Sequence, residues 1–272
     1  MKLTRERALA AAFAALILLI ALWRHDLVAE AARVTLVQLG KGGAARTKVL
    51  AEIALLAGIF ALVLRALAAD FEPRRDLPAA LAATLAGYLA ETWGTRGGLW
   101  VYYTRETPPL WIVPAWTAGT LVIDRLARAA RGRLGRFLSE EAQHRGYRIL
   151  SGLFLLVFGI FVFSVSADPA DALLLALLAW ALLARSSAED FWTLATGLVL
   201  VFFADLWGTT NGCWSYYTQR SSPDGLATGI LFGMFFDAAV VTLCLKGVRL
   251  PSMTGLPSVP AGALPEGGAQ KK

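Results

Sequence analysis

Histidine and cysteine are nearly missing, with two of each among 272 residues. His25 and His144 lie far apart in polar stretches, which excludes a histidine-built metal centre. Cys213 and Cys244 are too few for a disulfide framework. There is no GxxxxGK[ST] and no GxGxxG, so neither common phosphate cradle is present. No DDxxD-type pair would hold magnesium and a diphosphate. No lysine falls in the middle of an apolar run, which excludes a retinal-type Schiff base. Nothing resembles a serine or cysteine triad. No cofactor and no metal are therefore expected. The basic excess is modest, 26 Lys+Arg against 20 Asp+Glu, and no basic surface is interleaved with aromatics, so nucleic acid is not an expected partner.

What is abundant is apolar surface. Hydrophobic residues make up 57% of the chain, against about 45–50% in a soluble domain. Long apolar runs alternate with short polar ones, so the bilayer is the expected solvent. Continuous runs point to helices rather than to the alternation of a barrel. Eight spans are expected, near 8–23, 49–69, 77–93, 110–127, 149–166, 170–186, 190–207 and 226–246. The first, behind the basic MKLTRER, could instead be a signal peptide. No small-x-small cleavage site follows it closely, so a retained helix is expected.

Lys and Arg set the orientation. Arg125, Arg128, Arg131, Arg133, Arg136, Arg145 and Arg148 fall between spans four and five. With both termini cytoplasmic, these and most other basic residues lie inside, as in a bacterial inner-membrane protein. One stretch disagrees, since residues 24–48 would lie outside with five basic residues. DLVAEAARVTLVQL within it reads as an interfacial amphipathic helix. The final stretch, rich in Pro, Gly and small residues, reads as a disordered tail.

The chain also repeats itself. ETWGTRGGLWVYYT (91–104) returns as DLWGTTNGCWSYYT (205–218), identical at eight of fourteen positions. Farther upstream LVLRALAADF (62–71) is echoed by LLARSSAEDF (182–191), which aligns Asp70 with Asp190 if the first copy carries a few extra residues, EPRRDLP. The expected fold is an all-α integral membrane protein of about eight transmembrane helices in two tandem four-helix repeats. The first unit would be 1–128, a basic linker 129–148, the second unit 149–248 and the tail 249–272. An even number of spans orients both units alike, so their pseudo-twofold axis would run along the membrane normal. The two motifs would then meet on one side of the membrane.

Gly94 and Gly208 read as helix terminators, which puts Glu91 and Asp205 in the last helical turn. A carboxylate there opposes the helix dipole, so capping does not explain it. The alternation after the glycines places Trp100 and Tyr102 on one side of an extended loop, which could fold back over the helix ends as a lid. Aromatics at a membrane interface are also commonly a belt, and acids near helix ends are commonly solvated. Here each acid sits in apolar sequence, GYLAETW and VFFADLW, and each copy has a second acid in the next span, Asp124 and Asp237. An acid inside a membrane helix is a functional candidate by default. Asp124 adjoins Arg125 and reads equally well as an interfacial ion pair.

Carboxylic acids, aromatic faces and hydroxyls in an apolar interior suit one chemistry well. A carboxylic acid kept neutral by its surroundings protonates a carbon–carbon double bond or an epoxide. Aromatic faces then stabilise the carbocation. Glu91, Asp205 and Asp237 are the catalytic candidates. Trp93, Trp100, Tyr102, Tyr103, Trp207, Trp214, Tyr216 and Tyr217 are the substrate-binding candidates, and Asp124, Thr95 and Thr209 are secondary. The expected partners are membrane lipid and a hydrophobic polyprenyl-type substrate, with self-association left open.

The pattern acid-x-x-Gly-Thr-x-x-Gly-x-Trp-x-Tyr resembles the signature of membrane carotenoid-biosynthesis proteins, the carotenoid hydratases among them. The second copy, Asp205, Gly212-Cys213-Trp214-Ser215-Tyr216 and then Phe235-Phe236-Asp237, is similar to the membrane lycopene cyclases. Those carry Pro-x-Glu-Glu in the later helix, where this chain has only Asp237. Paired acids on separate helices also resemble the membrane meroterpenoid cyclases. The resemblance covers two stretches of about 35 residues each. It implies proton-initiated cyclisation, isomerisation or hydration of a polyprenyl substrate. The rival reading is a transporter of small molecules or lipids, or a non-enzymatic membrane protein, with an acidic-aromatic site at the repeat interface. Transport would need polar residues continuing inward past Glu91 and Asp205, and the sequence offers few.

Overall fold

A computed structural model describes residues 2–164, 169–184, 186–222 and 224–253. Ten α-helices follow in order: α1 Lys2–Trp23, α2 His25–Gly40, α3 Gly43–Ala69, α4 Pro73–Arg96, α5 Val113–Leu134, α6 Glu140–Phe163, α7 Pro169–Leu183, α8 Ala188–Thr210, the single turn α9 Thr218–Ser221, and α10 Gly225–Met253. Two three-residue strands, β1 Trp100–Tyr102 and β2 Trp214–Tyr216, follow α4 and α8. Among the described residues, five helices contain stretches long and apolar enough to cross a membrane: Glu6–Trp23, Gly43–Ala68, Glu140–Phe163, Ala188–Thr210 and Gly225–Arg249. Many of their large apolar side chains are exposed, such as Leu18, Leu19, Leu55, Leu156 and Phe203. Such a surface is at home in lipid and not in water. The chain is an all-α integral membrane protein.

Local chemistry explains the helix boundaries. Pro73 opens α4, where its missing N–H costs nothing. The Ser139 hydroxyl caps α6 by accepting from Ala142 N. Ser187 and Asp190 form a reciprocal capping box at α8. The ends of α4 and α8 differ from the sequence expectation. Gly94 and Gly208 do not terminate these helices, which run on to Arg96 and Thr210. The terminators are Gly98 and Gly212, at φ +68° and +70°. Gly98 N donates to Thr95 O and Leu99 N to Gly94 O; Gly212 N donates to Thr209 O and Cys213 N to Gly208 O. Both ends are Schellman motifs with glycine in the left-handed position. Glu91 and Asp205 therefore lie more than a turn inside their helices, beyond the reach of the helix end.

The expected linker is also mostly helix. α5 continues to Leu134 and α6 begins at Glu140, because ARAARGRL and EEAQHRGYR are good helix formers. The segment 24–48 is largely the helix α2, with no buried side chain. The expected tail from 254 onward lies outside the described residues.

α10 is central, packing on α8, α4 and α6, while α5 packs on α4 and α8. The termini of α4 and α8 that carry the motifs lie together at one end of the bundle, the motif end, where Arg24, from the α1–α2 corner, donates to Glu106 after β1. The opposite, arginine end gathers the end of α3, the starts of α4 and α8, and the later parts of α5 and α10. There Arg125 donates to Asp76 at 2.7 Å, Arg128 to Asp70 and Asp124, and Arg249 to Asp124 and Asp190. Asp124 thus pairs with arginines on its own helix and on α4 and α10, not with its neighbour Arg125. Asp190 also has a different counterpart from the one expected. Asp70 has an exposed side chain, whereas Asp76 is buried like Asp190. Each buried acid accepts from the backbone N–H preceding its helix, Glu72 N to Asp76 and Ser187 N to Asp190. The interval from Asp76 to Asp190 equals that from Glu91 to Asp205, so no extra residues are needed.

Candidate functional site

β1 and β2 pair with each other, antiparallel, with Trp100 opposite Tyr216, Val101 opposite Ser215, and Tyr102 opposite Trp214. The pairing continues outward through Tyr103 N to Cys213 O and Tyr217 N to Leu99 O. Alternation along β1 turns Trp100 and Tyr102 toward the helices, where both are buried. The small residues before them make this possible. A side chain at Gly94 would overlap the Trp100 indole, and one at Gly208 would overlap Trp214.

Glu91 lies beneath this cap, 3% exposed. Its Oε2 accepts from Trp100 Nε1 at 2.9 Å. Its Oε1 accepts from Tyr102 OH and Trp116 Nε1, both at 3.0 Å. Trp116 comes from α5 and fits against Gly87, where any side chain would collide with it. Three donors, two from β1 and one from α5, engage both oxygens of one carboxyl.

Asp205 occupies the matching place on α8 and is equally buried, but its surroundings differ. Oδ1 accepts from Tyr216 OH at 2.9 Å. Oδ2 is buried with no hydrogen-bond partner. Aspartate is one methylene shorter than glutamate, so the carboxyl stands farther from the strand above it. On the side where α5 offers Trp116 to Glu91, α10 offers Gly233, which abuts Asp205 Oδ2 and Tyr216 OH and has no donor side chain. Asp237 stands one turn along α10. It keeps partial exposure and lies within charge–charge reach of Asp205 and Glu91. No arginine or lysine pairs with any of these three acids among the described residues.

Aromatic rings surround the acids. Trp93 approaches Trp100, Phe158 and Phe236 with centroids 5.7–6.3 Å apart. Phe158 stacks on Phe232 and on Phe236, and Phe154 packs behind them. Tyr102 meets Trp111 edge-on and Trp214 at a tilt. The indole nitrogens of Trp111 and Trp207 are buried without partners.

The remaining candidates divide plainly. Tyr103 points outward, 49% exposed, so it does not join the site. Tyr217 bonds Ser164 and the carbonyl of Phe161 and anchors the cap to α6. Thr95 and Thr209 spend their hydroxyls on the carbonyls of Glu91 and Asp205, so they hold the helix and are not free to meet a ligand. Asp124 is at the opposite end. Sequence reasoning missed Trp116, the glycines that admit the rings, and the Phe154, Phe158, Phe161, Phe232 and Phe236 wall. The i, i+4, i+7 spacing on α6 and the i, i+4 spacing on α10 were the available signal. It also missed Lys246, buried at the arginine end and donating to Leu182 O at the end of α7, where a cation suits the helix terminus. Among the described residues no three His, Cys, Asp or Glu side chains gather as metal ligands.

The site combines clustered acids without cationic partners, hydroxyl and indole donors, and stacked aromatic faces beneath a two-stranded cap. No protein-family model, curated protein or solved structure matches this chain.

Proposed function

We propose that this protein is a membrane enzyme that modifies a terpenoid or carotenoid, by proton-initiated cyclisation, isomerisation or hydration of a polyprenyl substrate. The observation that carries this reading is the meeting of Glu91, Asp205 and Asp237 within one aromatic cluster with no basic partner among the described residues. Burial of unpaired acids is costly, and inside a membrane protein such groups serve function more often than architecture. Glu91, with its three donors, is built as an acceptor and takes the role of base. Asp237 has no hydrogen bond among the described residues and takes the role of acid, while Asp205, with Oδ2 open, positions the substrate. Trp93, Trp100 and the Phe158–Phe232–Phe236 stack present ring faces to a carbocation, each contributing about 1–2 kcal/mol when water is excluded.

The same reading includes eight transmembrane spans in two four-helix units, N- and C-termini cytoplasmic, in a bacterial inner membrane. The strand pairing favours the two-unit arrangement. Exchanging the motifs maps Trp100–Tyr216 onto Tyr102–Trp214, with Val101–Ser215 at the centre, as a twofold axis requires. Transport is less favoured, because Phe154, Phe158 and Phe161 belong to the same buried apolar cluster as Trp100, Tyr102 and Tyr216 and give a polar solute little to follow.

The test is a pigment and lipid profile by chromatography with mass detection, in hosts making lycopene or other polyprenoids. A new peak of unchanged mass means cyclisation or isomerisation, and a gain of one water means hydration. Either peak should vanish with Glu91→Gln plus Asp205→Asn. An unchanged profile in every host, with the protein present and folded, rejects the enzyme.

A further inference from the structure

The two acids at the cap are not equally satisfied, and the difference points to a ligand. Every oxygen of Glu91 is supplied by the protein. Asp205 Oδ2 is not, although the residue is 3% exposed. A buried polar oxygen without a partner is uncommon and calls for an explanation. Two features leave Oδ2 without a partner: the shorter side chain, and glycine at position 233 where the other copy has Trp116. Asp237, on the same helix as Gly233, is partly exposed and has no hydrogen bond among the described residues.

We propose that the position beside Asp205 Oδ2 receives the hydroxyl of a polyprenyl alcohol, which donates to that oxygen while its hydrocarbon chain lies along the Trp93–Phe236–Phe158 rings. The inference rests on reading the site as a terpenoid site and narrows it from hydrocarbons to oxygen-bearing prenyl chains. A plain hydrocarbon fills the aromatic part equally well but leaves Oδ2 unpaired.

The experiment measures binding to the purified full chain in detergent by quenching of tryptophan fluorescence. The probes are geranylgeraniol and the hydrocarbon of the same skeleton without the hydroxyl. One net hydrogen bond corresponds to about tenfold tighter binding of the alcohol. Asp205→Glu extends the carboxyl toward the indole, as in the Glu91 cage, and should bring the ratio of affinities close to one. Asp205→Ala removes the acceptor and should do the same. Equal affinities in the wild-type protein would overturn the proposal, because the position then holds only water. A preference that survives both variants would overturn it as well. The two readings fail separately: conversion of a hydrocarbon without alcohol preference rejects the alcohol site alone, and alcohol preference without any product rejects the enzyme alone.

Discussion

The two ends of the bundle treat acids in opposite ways. At the arginine end Asp70, Asp76, Asp124 and Asp190 all have arginine partners, drawn from α4, α5 and α10. At the motif end Glu91 accepts from indole and phenol donors and Asp205 from a phenol, and none of Glu91, Asp205 and Asp237 has a cationic partner among the described residues. Paired acids tie helices together, and removal of one partner strands a buried charge. The motif-end acids tie elements only through neutral hydrogen bonds, Glu91 to the cap and α5 and Asp205 to the cap. Their presence in buried sequence twice over is better explained by chemistry than by stability.

That contrast can be broken from the arginine end with the largest effect. Arg125→Ala takes from Asp76, 1% exposed, its one fully buried cation and leaves it with the partly exposed Arg75 and the Glu72 N–H. A loss of about 3–5 kcal/mol is expected, seen as a collapse of the melting midpoint or of folded yield in detergent. Next come the glycines under the cap. Gly94→Ala or Gly208→Ala drives a methyl into an indole and should cost about 1–3 kcal/mol, with a shift in tryptophan emission as the ring is displaced.

The two cap acids should then separate from each other. Glu91→Gln turns an amide N–H₂ toward one of three donors, so about 1–3 kcal/mol should be lost. Asp205→Asn can place its amide nitrogen at the unpartnered Oδ2 position and should change the midpoint little. Equal losses would mean that the two cages are alike after all.

The smallest effect belongs to Asp70. The Arg128 hydrogen bond holds its carboxyl below the usual range, against a smaller opposing contribution from burial. A lowered folded value means that its stabilisation is fully present above the unfolded value, near pH 3.9, and is lost as pH falls through the folded value. The side chain is largely exposed, so Asp70→Asn should cost under about 1 kcal/mol and less in high salt. A melting series in acid would show it.

How much of this was readable without coordinates depended on what each residue announces about itself. Continuous apolar runs fix membrane helices because the backbone has no other solvent there. The doubled motif marked Glu91 and Asp205, and the strand alternation turned Trp100 and Tyr102 inward. The function of Gly94 and Gly208 was misread because a glycine near a helix end also looks like a cap; only the position of the indoles shows that they are notches. Asp76 was overlooked because Asp70-Phe71 imitates Asp190-Phe191 in sequence, while burial distinguishes Asp76. The phenylalanine wall was hidden for a different reason. In a membrane protein a lipid-facing ring and a core ring have the same hydropathy, and only packing tells them apart.

The central claim is that Asp205 and Asp237 serve chemistry and contribute little to the fold, unlike Glu91, whose three donors also hold the cap. Its most direct measurement is the melting midpoint of the Asp205→Asn, Asp237→Asn double variant beside the wild-type protein, in the same detergent. An unchanged or higher midpoint is expected, since neither residue pairs with a cation and functional acids commonly cost stability. A fall of several degrees would make these acids structural and contradict the division between the two ends.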